Sequence, residues 1–235
     1  MGPERPVCDI RMRDLRLVVF DVDGTLMDSQ DFILMAMARA FALAGYPAPS
    51  KADVLAIVGL SLEKAVSVLL PGLGVDENAR AVALYRQSFL DLRAELGGEA
   101  KVPLYPGARA ALERLHKVED ILLGVATGKA KRGLDHAYES HGIGHYFITS
   151  QTADFHPSKP HPSMLRQALR DTGVEAAKAV MVGDTEYDME MGRAAGFATI
   201  GVSWGYHPLS RLGAADVIID NFAELDAALQ SVWKR

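Results

Sequence analysis

The chain has 235 residues, of which 49% are hydrophobic and 23% charged, with a net charge of -5; this is the balance of an ordinary globular protein that buries a core in one or two domains. The negative balance supplies no basic field for nucleic acid, and no apolar run approaches the roughly 20 residues of a membrane helix, so neither nucleic acid nor a membrane is expected as a partner, and a soluble monomer or small homo-oligomer is. Cys8 is the only cysteine, which excludes an intrachain disulfide, and Met1 to Arg16 is too charged for a secretory signal, so the expected compartment is the cytoplasm.

The first regular element is Leu17-Val18-Val19-Phe20, an apolar run without polar alternation, as in a strand buried on both faces of a parallel sheet. It ends in Asp21-Val22-Asp23-Gly24-Thr25. Helices are then predicted from Gln30 to about Leu43, capped by Asp28 or Ser29, and from Ser50 to about Val58, with Asp53 completing a capping box. A third runs from Ser61 to Leu70, and a fourth, capped by Asp76, reaches Leu96 before Gly97-Gly98. From Gln30 to about Val102 there is no strand pattern.

Alternation follows. A helix after Pro106-Gly107 runs to His116, Ile121 to Ala126 reads as a strand ending at Thr127-Gly128, and a helix spans Lys129 to His141. Tyr146 to Thr149 is a short strand, and Ser158-Lys159-Pro160-His161-Pro162 forms a loop before a helix from Ser163 to Asp171. Ala179 to Val182 is a strand stopping at Gly183-Asp184, with Thr185 capping a helix to Ala195. Strands at Thr199 to Val202 and Val217 to Ile219 precede a last helix from Glu224 to Val232. The pattern predicts an α/β fold, a doubly wound Rossmann-like parallel sheet with an inserted all-helical segment. The corresponding division is a core of residues 1–29 and 103–235, with 1–15 as an N-terminal tail, and an insertion of residues 30–102.

Asp21 with Asp23, Thr127 and Asp184 each follow an apolar strand, and Lys159 lies in a loop between two strands. In a parallel sheet the carboxyl ends share the ligand crevice, so these groups converge. Two carboxylates roughly 4 Å apart repel by about 4 kcal/mol at an effective dielectric of about 20, which calls for a divalent cation or a shared proton. Three carboxylates, an ammonium and a hydroxyl form an inventory suited to phosphoryl transfer. Asp188, three residues after Thr185, also fits a capping box. Trp204, Tyr206, His161 and His207 read as packing or loop residues.

These motifs, Asp21-Val22-Asp23-Gly24-Thr25, Thr127-Gly128, Lys159, and Gly183-Asp184-Thr185 with Asp188, resemble in order the haloacid dehalogenase superfamily, in particular phosphatases of the phosphoglycolate phosphatase type. The resemblance covers Arg16 to about Ala228. It implies that Asp21 is the nucleophile, that Asp23 protonates the leaving alcohol and then activates water, and that Thr127 and Lys159 bind the phosphoryl group beside Gly24, Thr25 and Gly128. Mg²⁺ would sit on Asp21, the backbone carbonyl of Asp23, and Asp184, supported by Asp188. Relatives that remove halide lack the acid at the position of Asp23, so phosphate ester hydrolysis is implied.

By the same resemblance the helical insertion is a mobile cap that chooses the substrate. Gly59 and Ser61 flank a turn at a helix N-terminus and are the expected substrate contacts there. The substrate would be a small phosphorylated metabolite such as phosphoglycolate. A phosphomutase, a pyrophosphatase and a binding module without turnover are the alternatives, the last opposed by the intact acids.

Overall fold

The computed structural model describes residues 14–96 and 102–234; Cys8, most of the expected N-terminal tail and the Gly97-Gly98 stop lie outside them. Strands β1 (Arg16–Phe20), β2 (Ile121–Thr127), β3 (Phe147–Thr152), β4 (Ala179–Gly183), β5 (Ala198–Val202) and β6 (Val217–Ile219) form one sheet in the order β3-β2-β1-β4-β5-β6. Every pairing is parallel. The chain winds outward from β1 through β2 and β3 on one side, then returns to β4 and winds outward on the other. The switch point lies between β1 and β4, where the loops leaving two neighbouring strands diverge and open a crevice.

Between β1 and β2 the chain forms α1 (Gln30–Ala44), α2 (Lys51–Ile57), α3 (Leu62–Leu69), α4 (Val75–Leu96) and α5 (Ala108–His116); α6 (Lys131–His141), α7 (Ser163–Thr172), α8 (Glu186–Ala195) and α9 (Leu225–Trp233) follow the later strands. The unbroken apolar run of β1 serves two layers. Val18 and Phe20 pack into one cluster with residues of α5, α6 and α9, while Leu17 and Val19 pack into another with residues of α7 and α8. All four are fully buried, each contributing about 1.5–3 kcal/mol of hydrophobic stabilisation.

Helices α1 to α4 form the inserted segment. Along α1, Phe32, Ile33, Ala36, Met37, Ala40 and Phe41 are buried, the spacing of one helical face. Ile33, Met37 and Phe41 share a separate small core with Val54, Ile57, Leu60 and Ala65. The two crossings between segment and sheet run side by side, joined by Asp28 N–H to the Pro103 carbonyl at 2.9 Å and Tyr105 N–H to the Leu26 carbonyl at 3.0 Å.

Three local readings change. Of the two expected caps of α1, Asp28 Oδ1 accepts the Gln30 N–H at 3.4 Å, while Ser29 sits at the N-cap but makes no capping bond, because its hydroxyl donates to Asp23 Oδ1. Asp76 lies in the first turn of α4, not at its cap; the Gly74 N–H is bound instead by Glu77 Oε2 at 3.0 Å. Strand β3 begins at Phe147 and runs on to Thr152. Its polar end masks it from a hydropathy pattern; there Thr149 and Gln151 each donate to Asp171 Oδ2 at 2.7 Å.

Candidate active site

The ends of β1, β2 and β4 each deliver one polar side chain. Asp21 follows β1, Thr127 closes β2, and Asp184 follows β4; Asp21 and Thr127 are 1% exposed and Asp184 is fully buried. Lys159, from the loop after β3, reaches Asp21 Oδ1 at 2.9 Å and Asp188 Oδ1 at 2.6 Å. The order of the sheet brings these residues together from 167 positions of sequence, as the reading of strand ends expected.

Asp188 has two duties. Its Oδ2 accepts the Thr185 N–H at 3.1 Å and the Thr185 hydroxyl at 2.6 Å, completing the capping box of α8. Its Oδ1 faces Lys159, and it belongs with Asp21 and Asp184 to a buried carboxylate trio whose oxygens lie within 4.8 Å of one another. The helix cap therefore fixes one acid of the trio.

The electrostatics are unbalanced. Burial, opposed by Lys159 and reinforced by Asp188 and Asp23, pushes the Asp21 carboxyl up to about 7. Burial and the neighbouring Asp188 and Asp21 also hold Asp184 well above the usual carboxylate range. Burial alone would lower the Lys159 ammonium, but the Asp188 and Asp21 carboxylates outweigh it and raise the group. One ammonium faces three acids. Asp21 Oδ2 has no hydrogen-bond partner, and Oδ1 meets only the Lys159 ammonium. An all-oxygen donor set with an orphaned carboxylate oxygen and excess negative charge fits a hard divalent cation. Asp21, Asp184 and Asp188 would hold it. The Asp23 side chain takes no part in that trio, which leaves only its backbone carbonyl for the role expected of it.

Asp23 instead faces the helical segment. Its Oδ1 accepts from Ser29 and lies 3.1 Å from Lys129 Nζ, and the same ammonium stands 5.6 Å from the Phe89 ring centre on α4. Asp21, Asp23 and Thr127 line one wall of a chamber of about 400 Å³ between sheet and helical segment, with Gly59, Leu60, Tyr85 and Phe89 opposite.

Gly24 and Thr25, expected at the substrate, sit behind the acids. The Thr25 hydroxyl donates to Asp184 Oδ1 at 2.9 Å, and neither residue lines the chamber. Ser61 does not line it either; its N–H donates to Ser158 Oγ at 2.9 Å and its hydroxyl caps α3. Gly59 and Gly128 do line it and meet there. A Cβ on Gly128 would stand 2.6 Å from the carbonyl oxygens of Gly59 and Leu60, so only glycine lets the inserted segment approach the end of β2 this closely.

Several further residues of the site read in the sequence as packing or loop residues, or belong to no motif. The Tyr206 N–H donates to Asp184 Oδ2 at 2.8 Å, and its hydroxyl accepts the Ser29 N–H at 2.8 Å. Trp204 Nε1 donates to the Thr25 carbonyl at 3.1 Å. Between them, a side chain on Gly205 would collide with Asp184. The loop after β5 thus wraps Asp184 and ties it to the crossing into α1. The available signal was position: Ser203-Trp204-Gly205-Tyr206 follows a buried strand, as the other site residues do. Lys129 carries the same signal, two residues beyond the end of β2; Ser29, nine residues beyond β1, does not.

The family model described as haloacid dehalogenase-like hydrolase matches residues 18–202. The chain is 37% identical over 222 residues to a probable phosphatase IndB of Dickeya dadantii, covering 93% of this chain and 95% of that protein. It is 31% identical over 226 residues to a phosphoglycolate phosphatase of Vibrio parahaemolyticus, covering 91% and 95%. A solved haloacid dehalogenase-like hydrolase from Streptococcus pneumoniae superposes with a TM-score of 0.78 at 25% identity, over 92% of this chain and 99% of that one.

Proposed function

The chain belongs to the haloacid dehalogenase-like hydrolase family, and on that premise we propose that it is a phosphatase hydrolysing small phosphorylated metabolites, phosphate monoesters of the phosphoglycolate type, through an aspartyl-phosphate on Asp21. The observation that carries this reading is the division of labour between two acids two residues apart. Asp21 is buried among Lys159, Asp184 and Asp188, whereas Asp23 is held on the chamber side by Ser29 and Lys129. Relatives named as phosphatases support it.

In the proposed reaction an Asp21 oxygen attacks phosphorus and the bond from phosphorus to the ester oxygen breaks. Asp23 gives its proton to the departing alcohol oxygen. The same carboxylate then takes a proton from water, which attacks the phosphorus of the aspartyl-phosphate, releasing orthophosphate and restoring Asp21. Lys159 and the Thr127 hydroxyl are assigned to the phosphoryl oxygens, and the Lys159 ammonium offsets charge at the nucleophile. Asp21, the Asp23 carbonyl, Asp184 and Asp188 are assigned to Mg²⁺, which when bound neutralises phosphoryl charge and keeps Asp21 ionised. Thr25 and Tyr206 hold Asp184 in place.

Helices α1 to α4 are assigned the role of a cap that closes the chamber, with Gly59 at its contact with the core. The proposal extends to a cytoplasmic monomer or small homo-oligomer; among the described residues no helix is long and apolar enough to cross a membrane. The test is a panel of phosphate monoesters with Mg²⁺, following orthophosphate and sugar phosphate isomers separately. Release of orthophosphate is expected. Isomerisation without release would make the chain a mutase, and inertness towards every ester would refute the proposal.

A further inference from the structure

The chamber is larger and less polar than a two-carbon acid requires. At about 400 Å³ it falls in the range of about 300–1,000 Å³ that encloses ligands of drug size. Its wall away from the acids is built by α1 and α4. Ile33 and Met37 come from α1, and α4 contributes Tyr85, Phe89 and Arg93, which recur every four residues and so share one face. That face is apolar and aromatic, then cationic, with about 6 Å of axial rise per step.

The charged groups around the chamber are mostly accounted for. Arg86 is paired with Glu63 at 2.8 Å, Lys129 with Asp23 at 3.1 Å, and Asp154 accepts the Lys131 N–H at 2.6 Å. Arg93 and Arg132 also line the space, and among the described residues the side chain of neither makes a hydrogen bond or an ion pair. Arg93 comes from α4 of the inserted segment and Arg132 from the first turn of α6, which follows β2 in the core.

Resting on the phosphatase reading, we propose that the leaving alcohol carries an apolar body and, beyond it, a second acidic group, and that Arg93 and Arg132 bind that second group from the two sides of the chamber. The phosphoryl group occupies the acidic end, the body lies against Phe89, Tyr85 and Met37, and the far carboxylate or phosphate meets the two guanidinium groups, whose planar forks suit either anion. A substrate that spans both arginines links α4 to α6, which ties its recognition to closure of the segment over the acids.

The test compares para-carboxyphenyl phosphate with its neutral isostere para-carbamoylphenyl phosphate and with phosphoglycolate, by kcat/KM. The parent enzyme should favour the carboxylate over the carboxamide by about ten- to a hundredfold, the worth of one charge-assisted contact, and should favour it over phosphoglycolate. Arg93→Gln and Arg132→Gln should each lower the carboxylate-to-carboxamide ratio at least about fivefold, since the two guanidinium groups share a contact of that worth. A ratio near one in the parent, or a ratio unmoved by both variants, overturns the assignment of the arginines; preference for phosphoglycolate overturns the apolar body. If neither any ester nor acetyl phosphate releases phosphate, the phosphatase reading fails separately. Calorimetric binding of the carboxylate and carboxamide to the parent and Arg93→Gln then decides the arginine site, with equal affinities overturning it.

Discussion

Replacing Asp21 by Asn should abolish turnover and, in the absence of divalent cation, make the protein more stable at alkaline pH. The carboxyl is pushed up from an ordinary 3.8 to about 7. That difference, about three pH units at about 1.36 kcal/mol each, amounts to about 4 kcal/mol of destabilisation whenever the group is ionised. The sign follows from proton binding: between pH 3.8 and about 7 the folded state holds a proton that the unfolded state has lost, so stability falls as pH rises through this window and levels off above it. Asn keeps the volume and carries no charge, so at pH 8 in chelator the variant should melt higher by about 10 °C, taking about 2–4 °C per kcal/mol for a chain of this size. At pH 4, where Asp21 is protonated in the folded parent, the advantage should be small. Saturating Mg²⁺ should reverse the order, because the parent has a charged ligand where the variant has a neutral one. Thermal unfolding by circular dichroism at both pH values, beside an orthophosphate assay, measures all of this. A variant that melts lower than the parent at pH 8 in chelator, or one with activity within about tenfold of it, would refute the reasoning.

Lys159→Ala should lose roughly 10²–10³ in rate and, with its ion pairs to Asp21 and Asp188 removed, about 3–5 kcal/mol of stability at neutral pH; unchanged melting would mean that the buried charges are compensated elsewhere. Activity should require added divalent cation, with Mg²⁺ effective and Ca²⁺ poor, since Ca²⁺ tolerates more ligands and looser geometry; full turnover in excess chelator would remove the metal. The melting shift produced by Mg²⁺ should be larger at pH 8 than at pH 5.5, because Asp21 and Asp184, both raised by burial, must lose their protons to bind it; a pH-independent shift would place the ion elsewhere. Gly128→Ala should lower kcat/KM while leaving the sheet folded, because its methyl meets the Gly59 and Leu60 carbonyls; parental kinetics would show that this approach is not needed for turnover.

The sheet was legible, β3 excepted, because its central strands are apolar on both faces, and such runs are short, bounded by turn residues and free of alternation. The convergence of Asp21, Thr127, Lys159 and Asp184 followed from where parallel strands end. Side-chain direction was not legible. Thr25 reads as a motif residue beside substrate, yet it is spent on Asp184, because Gly24 turns the chain behind the acids. Ser29 reads as a helix cap, yet its hydroxyl goes to Asp23, a choice decided by a carboxylate six residues earlier that no local propensity reports. Tyr206 and Trp204 read as packing aromatics because their polar partners, Asp184 and the Thr25 carbonyl, come from other strands. The chamber itself is a product of packing between α1, α4 and the strand ends, and no single segment of sequence outlines it.

In the proposed reaction phosphate passes through Asp21. The most direct measurement is to quench turnover of acetyl phosphate, reduce with borohydride and locate homoserine by peptide mass spectrometry. Homoserine at position 21 is expected, and more of it in Asp23→Asn, where acetate still departs unaided but the base for the second step is gone. Turnover with no homoserine, or homoserine at another acid, would contradict the account.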